Sequence, residues 1–472
     1  MRDGYRQLRN RTIDVLPVPD GGFRPGQREM AVSVYRALRD GGETVIEAPT
    51  GIGKTMAALY PALRSLSSLD YDKIFFLTAK GSGRAAAREA IEDLRGEGLA
   101  LTDVSLVAKE QACFNPGVPC HPEQCAYAAG YYDKLPEVLA EQAGEAARFT
   151  PEAIAALAEE KGMCPFELSL DLAGIADVVI GDYNYAFDPW VHLRRFFDDS
   201  GGRYAFLVDE AHNLVDRGRD MFSARLEKDR ILSVRRRVKS SAPLLARRLR
   251  AVNDAIGAFA RANRDALAPT GYCVVATFPD RLVKALRRFC EAAEEWLAAE
   301  ADDAVLDCYF AASRFLKTLD LVDEDFRCLL EETERGPVLQ VLAVNPAKGL
   351  RAGFQRAEAA VSFSATLSPQ PYFRRVIGAK DDAAWLRVPS PFPSANLGVF
   401  ATTHVSTVWR DRQHSLDELI DTIAEVVACR PGNYLVFFPS YRYLADALAR
   451  MQVRYPGLDC RARGGIDGQS CP

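Results

Sequence analysis

An α/β fold built on a parallel sheet is predicted by three observations. Short apolar runs recur along the chain, helical patterns fill the gaps between them, and a glycine-rich turn joins one run to the helix after it. Taken in order, ETVIEA (43–48) reads as a short buried strand, and the pattern AALYPALRSL from position 57, just after Met56, is helical. KIFFLTA (73–79), ADVVIGDY (176–183) and YAFLVDE (204–210) repeat the buried-strand type. Two stretches break the rhythm. Residues 109–175 carry a cysteine cluster and an Ala/Glu-rich helical piece, and residues 224–340 read as almost wholly helical. Within the latter, Leu282, Leu286, Phe289, Ala293 and Trp296 step by four and three along one helix face. The α/β pattern resumes at AAVSFSATLSP (359–369), and the proline-rich SPFPSANLG (390–398) reads as a linker. A new unit follows, with a helix near 415–429 and an expected strand at NYLVFFPS (433–440).

Composition bounds the answer further. A chain of 472 residues, 48% hydrophobic and 26% charged, is long enough for several domains with their own cores. That excludes a disordered, collagenous or disulfide-miniprotein class. With 59 Lys and Arg against 64 Asp and Glu, the net charge is −5, so any nucleic-acid contact must come from local patches. No apolar segment is long enough to span a bilayer, and no membrane partner is expected. The charged opening MRDGYRQLRNRTIDVLP lacks the core of a signal peptide, so a cytoplasmic, reducing setting is expected.

The strongest chemical signal is EAPTGIGKT (47–55), between a strand and a helix. Glycines such as Gly51 and Gly53 let backbone N–H groups curl around phosphate oxygens, and the start of the helix adds its positive end. Thr50 lies within the loop, Lys54 is placed to reach the β- and γ-phosphates, and the Thr55 hydroxyl to ligate Mg²⁺. Ala48 stands where the common pattern has its first glycine. The second half is DEAH (209–212), closing a strand: Asp209 suits Mg²⁺, and Glu210 can orient and deprotonate a water. The two motifs together point to nucleoside triphosphate hydrolysis. FRPGQ (23–27) precedes the loop, and an amide at Gln27 both donates and accepts, as an adenine edge requires.

Four of the eleven cysteines, Cys113, Cys120, Cys125 and Cys164, are spaced C-x6-C-x4-C-x38-C. Four thiolates without histidine can hold a tetrahedral metal or a [4Fe–4S] cluster, and spacing alone leaves both open, with unliganded thiols as a third reading. Cys273, Cys290, Cys308, Cys328 and Cys429 lie in apolar contexts and read as core thiols. Cys460 and Cys471 have no assigned role.

These motifs, in this order, resemble those of the iron–sulfur superfamily 2 DNA helicases of the XPD/DinG type. FRPGQ looks like their adenine-reading element, APTGIGKT (48–55) their first motif, FLTAKGSGR (76–84) motif Ia and DEAH motif II. FSATLSP (363–369) looks like motif III and YLVFFPSYR (434–442) motif IV. CPFELSLDLAGIADVVIGDYNYAFDP (164–189) resembles the family's stretch from the last cluster cysteine to the returning motor strand, with Tyr183, Asn184 and Tyr185 as its YNY element.

The resemblance implies a RecA-like P-loop motor domain in three pieces (1–108, 176–223 and 341–389). It implies an Fe–S insert at 109–175, a helical arch insert at 224–340 and an incomplete second RecA-like domain at 390–472. It assigns a [4Fe–4S] cluster to the four cysteines, ATP and Mg²⁺ to the loop and DEAH box, and nucleotide-to-DNA coupling to His212 and the Ser364–Thr366 element. A monomeric motor is expected, moving 5′→3′ on single-stranded DNA and unwinding forked DNA, in repair or replication. Lys80, Arg84 and Lys109 are expected near the DNA backbone. Tyr127, Tyr131, Tyr132, Tyr183 and Tyr185 could stack on bases or pack in the core, and the cation-rich run 235–250 could meet phosphates or face solvent. The sequence departs from the family in one respect. After motif IV we find no motif V and no Q-x-x-G-R-x-x-R-like motif VI, and RARGGIDGQSCP (461–472) has neither strand nor helix character. A C-terminally truncated chain is therefore expected, with an ATP- and single-stranded-DNA-binding module that does not unwind as the alternative.

Overall fold

The computed structural model describes residues 2–18, 22–198 and 201–462; Cys471 and most of the closing segment lie outside these. The chain divides into two compact units, 1–391 and 392–472. In the first, twelve strands are formed in chain order: β1 (Glu43–Glu47), β2 (Lys73–Leu77), β3 (Asp103–Ser105), β4 (Arg148–Phe149), β5 (Val178–Gly181), β6 (Tyr204–Asp209), β7 (Ala224–Glu227), β8 (Tyr272–Val275), β9 (Phe326–Thr333), β10 (Gly336–Ala343), β11 (Ala359–Ser364) and β12 (Ala384–Arg387).

Eight of them make one sheet in the order β12-β1-β11-β6-β2-β5-β3-β4, and every neighbouring pair is parallel. This is the architecture expected from the sequence. Its physical cause is visible in the central strands. In β2, Phe75 and Leu77 pack into one core while Ile74 and Phe76 pack into another, and in β6 Phe206 and Val208 alternate in the same way with Ala205 and Leu207. A strand apolar on both faces is stable only with helices covering both, which is the condition of a parallel sheet. β3, β4 and β12 were not foreseen; β4, two residues long, comes from the segment that carries the cysteines.

The helix Arg2–Val15 is tied to the rim of this sheet by a buried charge pair. Asp177 accepts from Arg9 Nη1 at 2.6 Å, from the Tyr5 hydroxyl and from the Thr102 N–H at 3.1 Å. Arg9 is 3% exposed, so removing its partner strands a buried guanidinium. Asp177→Ala is expected to destabilise this unit by about 3–5 kcal/mol, read as a lower urea midpoint by circular dichroism. An unchanged midpoint would mean the pair contributes nothing net.

Residues 224–340 correct the helical expectation. The helices Lys228–Arg237, Pro243–Ala262, Asp280–Leu297 and Asp303–Leu319 pack against a four-stranded antiparallel sheet, β7-β10-β9-β8. Leu282, Leu286, Phe289 and Ala293 do line the buried face of their helix. The missed element is the β9–β10 hairpin. Its strand FRCLLEET buries only Cys328 and Leu330 fully, so charges at its ends mask the alternation. Its turn relies on Gly336 at φ +103°, a conformation that a side chain rarely adopts.

In the second unit the helices Leu416–Cys429 and Tyr441–Arg454 pack through Leu416, Ile420, Tyr443, Ala447 and Met451. The strand expected at 433–440 is not formed, and Leu435 and Phe437 are 86% and 87% exposed. Strand-type residues need a paired backbone to make a ladder, and among the described residues of this unit no strand pairs with them. Cys429 is exposed rather than a core thiol, because it falls on the solvent side of the last helical turn. Cys290, Cys308 and Cys328 are buried as expected, and Cys273 is half-buried.

Candidate functional site

The carboxyl ends of β1, β2, β5, β6 and β11 all lie on one edge of the parallel sheet, where loops following such strands gather side chains into a crevice. The phosphate-loop segment leaves β1, and Gly51 (φ +85°) and Gly53 (φ +81°) hold left-handed conformations that turn it into the helix Lys54–Ser68. Ala48 is fully buried, and its N–H donates to the Ser364 carbonyl at 2.8 Å, so the loop start is pinned to the end of β11. Thr50 and Gly51 are exposed; Lys54 and Thr55 are half-buried.

Gln27 lies beneath this loop and is buried. Its Oε1 accepts from the Arg24 N–H at 2.9 Å and its Nε2 donates to the Gly53 carbonyl at 3.3 Å. One N–H and one lone pair of the amide remain for another group.

Asp209 ends β6 and is buried. Burial first, and then the charge of Glu210, push its carboxyl up to about 6; the Glu210 N–H, at 2.9 Å, and the positive charge of Lys54 oppose that rise. Lys54 thus lies within electrostatic reach of Asp209. Glu210 takes φ +50°, a left-handed conformation that for a side chain costs about 1–3 kcal/mol and persists only where surroundings hold it. Its Oε2 lies 3.4 Å from Ser364 Oγ and 3.4 Å from His212 Nδ1, and the Ser364 and His212 atoms are 2.7 Å apart. The structure therefore brings Gln27, Gly53, Lys54, Asp209, Glu210, His212 and Ser364 to one edge of one sheet.

Two residues of this neighbourhood were not foreseen in it. A Cβ on Gly83 would collide with the Thr78 hydroxyl and stand 3.0 Å from Asp209 Oδ2, so the helix Gly81–Gly96 can approach the carboxylate only through a glycine. The run GSGR was a legible signal for a close backbone approach. Tyr183, weighed above for base stacking, is fully buried, and its hydroxyl donates to the backbone carbonyls of Asp209 and Glu210.

The other stacking candidates divide. Tyr131 is buried with its hydroxyl on Asp171 at 2.7 Å, Tyr127 packs edge-on against Phe114, Tyr185 bonds the Val107 carbonyl at 3.0 Å, and Tyr132 is 76% exposed. Lys80 is exposed and Arg84 half-buried. The cation-rich run 235–250 covers the end of one helix and the start of the next, with Arg237 paired to Asp302 at 2.7 Å.

All four cysteines of the cluster segment are free thiols: Cys120 is exposed, Cys113 and Cys164 half-buried, and Cys125 buried. A hydrogen bond to Cys120 and the thiols of Cys113 and Cys164 raise the Lys109 ammonium above its ordinary value, while burial pushes the Cys164 thiol up. Among the described residues, no three His, Cys, Asp or Glu side chains converge closely enough to hold a single metal ion. The donor chemistry, four thiols and no disulfide between residues 113 and 164, is of the kind an iron–sulfur group takes. Among the described residues no helix is long and apolar enough to cross a membrane.

The fold and these motifs define an α/β protein with a phosphate-loop segment after β1 and an acidic pair closing β6. Residues 98–231 match the DEAD_2 family model. The chain is 23% identical over 237 residues to the general transcription and DNA repair factor IIH helicase subunit XPD/RAD3 of Saccharomyces cerevisiae, 43% of this chain and 30% of that protein. It is 50% identical over 56 residues to the ATP-dependent DNA helicase YoaA of Escherichia coli, 10% of this chain and 9% of that protein. A solved XPD helicase structure has the same fold at 20% identity, with a TM-score of 0.58 over 91% of this chain and 74% of that one. The chain is thus similar to XPD/DinG-type helicases in sequence pattern and in fold, and it matches under a third of the length of the yeast relative.

Proposed function

We propose that the chain hydrolyses ATP with Mg²⁺ and couples hydrolysis to 5′→3′ movement on single-stranded DNA and to the opening of forks. The observation that supports this reading is the meeting of the phosphate loop, the DEAH carboxylates and the Ser364–His212 pair on one sheet edge. Lys54 and the loop N–H groups bind and orient the β- and γ-phosphates. Thr55 and Asp209 would hold Mg²⁺, which supplies positive charge beside the phosphates. Glu210 takes the proton of the attacking water as its oxygen bonds to the γ-phosphorus, and the bond to the β-bridging oxygen breaks to give ADP and phosphate. Ser364, in contact with both Glu210 and His212, is placed to relay the state of that carboxylate toward the DNA path. Lys80, Arg84 and exposed Tyr132 supply backbone and stacking contacts that tolerate any sequence.

Cys113, Cys120, Cys125 and Cys164 would hold a [4Fe–4S] cluster, which stiffens a segment with little core of its own. Anaerobically purified chain is expected to carry iron and labile sulfide in equal amounts, and Cys120→Ser to lose most of both. Retained iron in that variant would remove Cys120 from the ligand set. The motor reading is tested with ATP on forked duplexes carrying a 5′ or a 3′ single-stranded tail. Strand separation confined to the 5′-tailed substrate supports it, and separation confined to the 3′-tailed one contradicts the polarity. ATP hydrolysis and DNA binding without separation of either would leave a binding module.

A further inference from the structure

We propose that Tyr183 is a positioning residue that holds the backbone at Asp209 and Glu210 and so aims the Glu210 carboxylate; this rests on the hydrolytic reading above. Tyr183 is fully buried, and its hydroxyl faces the turn that follows β6. It donates to the carbonyl of Asp209 and, at 3.0 Å, to that of Glu210. Burial pushes the phenol far above its ordinary range, which keeps it an O–H donor. The Glu210 carbonyl also accepts the Asn213 N–H at 2.8 Å, so the turn in its left-handed conformation is fixed from two sides.

The flanking residues hold Tyr183 in place. Arg217, on the helix His212–Phe222 that follows the DEAH turn, donates to Asp182 Oδ1 at 2.9 Å and to Asn184 Oδ1 at 3.0 Å. Tyr185 bonds Val107, two residues before the Lys109 that sits among the cysteine thiols. One short element, 182–185, therefore touches both the start of the cysteine segment and the turn that presents the carboxylate. Without the hydroxyl, the buried Asp209 carbonyl loses this donor, the Glu210 carbonyl is left with the Asn213 N–H, and Glu210 is free to leave a strained conformation.

The test is Tyr183→Phe, which keeps the ring and removes only the oxygen. Turnover of ATP is expected to fall about 10- to 100-fold with the ATP dissociation constant unchanged, as for misaimed chemistry. In a Glu210→Gln background the same change is expected to cost nothing further. Tyr309→Phe, which removes from the helix Asp303–Leu319 a hydroxyl bonded to Glu294, is the control and is expected to keep its turnover. Amide hydrogen exchange across residues 209–213 reads the positioning without turnover, and faster exchange in Tyr183→Phe is expected even in a chain that hydrolyses nothing. Unchanged exchange, or a full additional loss in the Glu210→Gln background, overturns the proposal. Absence of hydrolysis in the parent chain, with the exchange difference present, contradicts the hydrolytic reading alone.

Discussion

Glu210→Gln is expected to lower the turnover of ATP hydrolysis by about 10²–10⁴-fold, the usual worth of a placed general base, while ATP still binds. Gln keeps the shape and can accept the same Ser364 hydroxyl, whose oxygen lies 3.4 Å from Glu210 Oε2. What it lacks is a site for the proton of the attacking water. The change also removes the negative charge that helps hold the Asp209 carboxyl up near 6, so nucleotide binding is not expected to suffer. The measurement is steady-state turnover beside equilibrium binding of a fluorescent ATP analogue. A variant that hydrolyses at the parent rate would take the base role away from Glu210.

Lys54→Ala is expected to lower hydrolysis by about 10²–10³-fold or more, because it deletes a cation aimed at charge that develops in the transition state. It differs from the Glu210 variant in also weakening ATP binding, since the ground-state phosphates are held by the same ammonium. Lys54 follows β1, which is five strands along the sheet from β3, after which the cysteine segment begins, so iron content is expected to stay unchanged. Iron loss in Lys54→Ala, measured by chelation on the purified chain, would mean that the two sites fold as one.

The main sheet was legible where its strands were long and apolar on both faces. ETVIE, KIFFL, VVIG, YAFLVD and AAVSFS all formed where expected, because the need to be covered on both sides is written in consecutive residues. β3, β4 and β12 escaped because two to four residues carry no period, and their pairing is decided by neighbours that already exist. The antiparallel sheet of residues 224–343 escaped for a different reason. Charged ends on β9 dilute its alternation, and the strong helical stripes around it dominate the reading. NYLVFFPS shows the converse error: strand-type residues without a partner make no strand.

At the site, the phosphate loop and DEAH were readable because their glycines and carboxylates serve local geometry. Gly51 and Gly53 need positive φ, and Asp209 must close a strand. Tyr183 was visible as a residue but not in its placement. Its contact with Glu210 spans 27 positions and exists only because β5 and β6 lie on either side of β2 with their ends on one edge. Gly83 is similar: the sequence shows a glycine, and only the packing shows the carboxylate beside it.

The most direct test of the central claim is ATP hydrolysis by the 472-residue chain, purified anaerobically, with and without single-stranded DNA, and with Lys54→Ala as the blank. The account predicts hydrolysis that depends on Lys54 and rises on addition of DNA. Hydrolysis absent under both conditions, or present and indifferent to DNA, would contradict it.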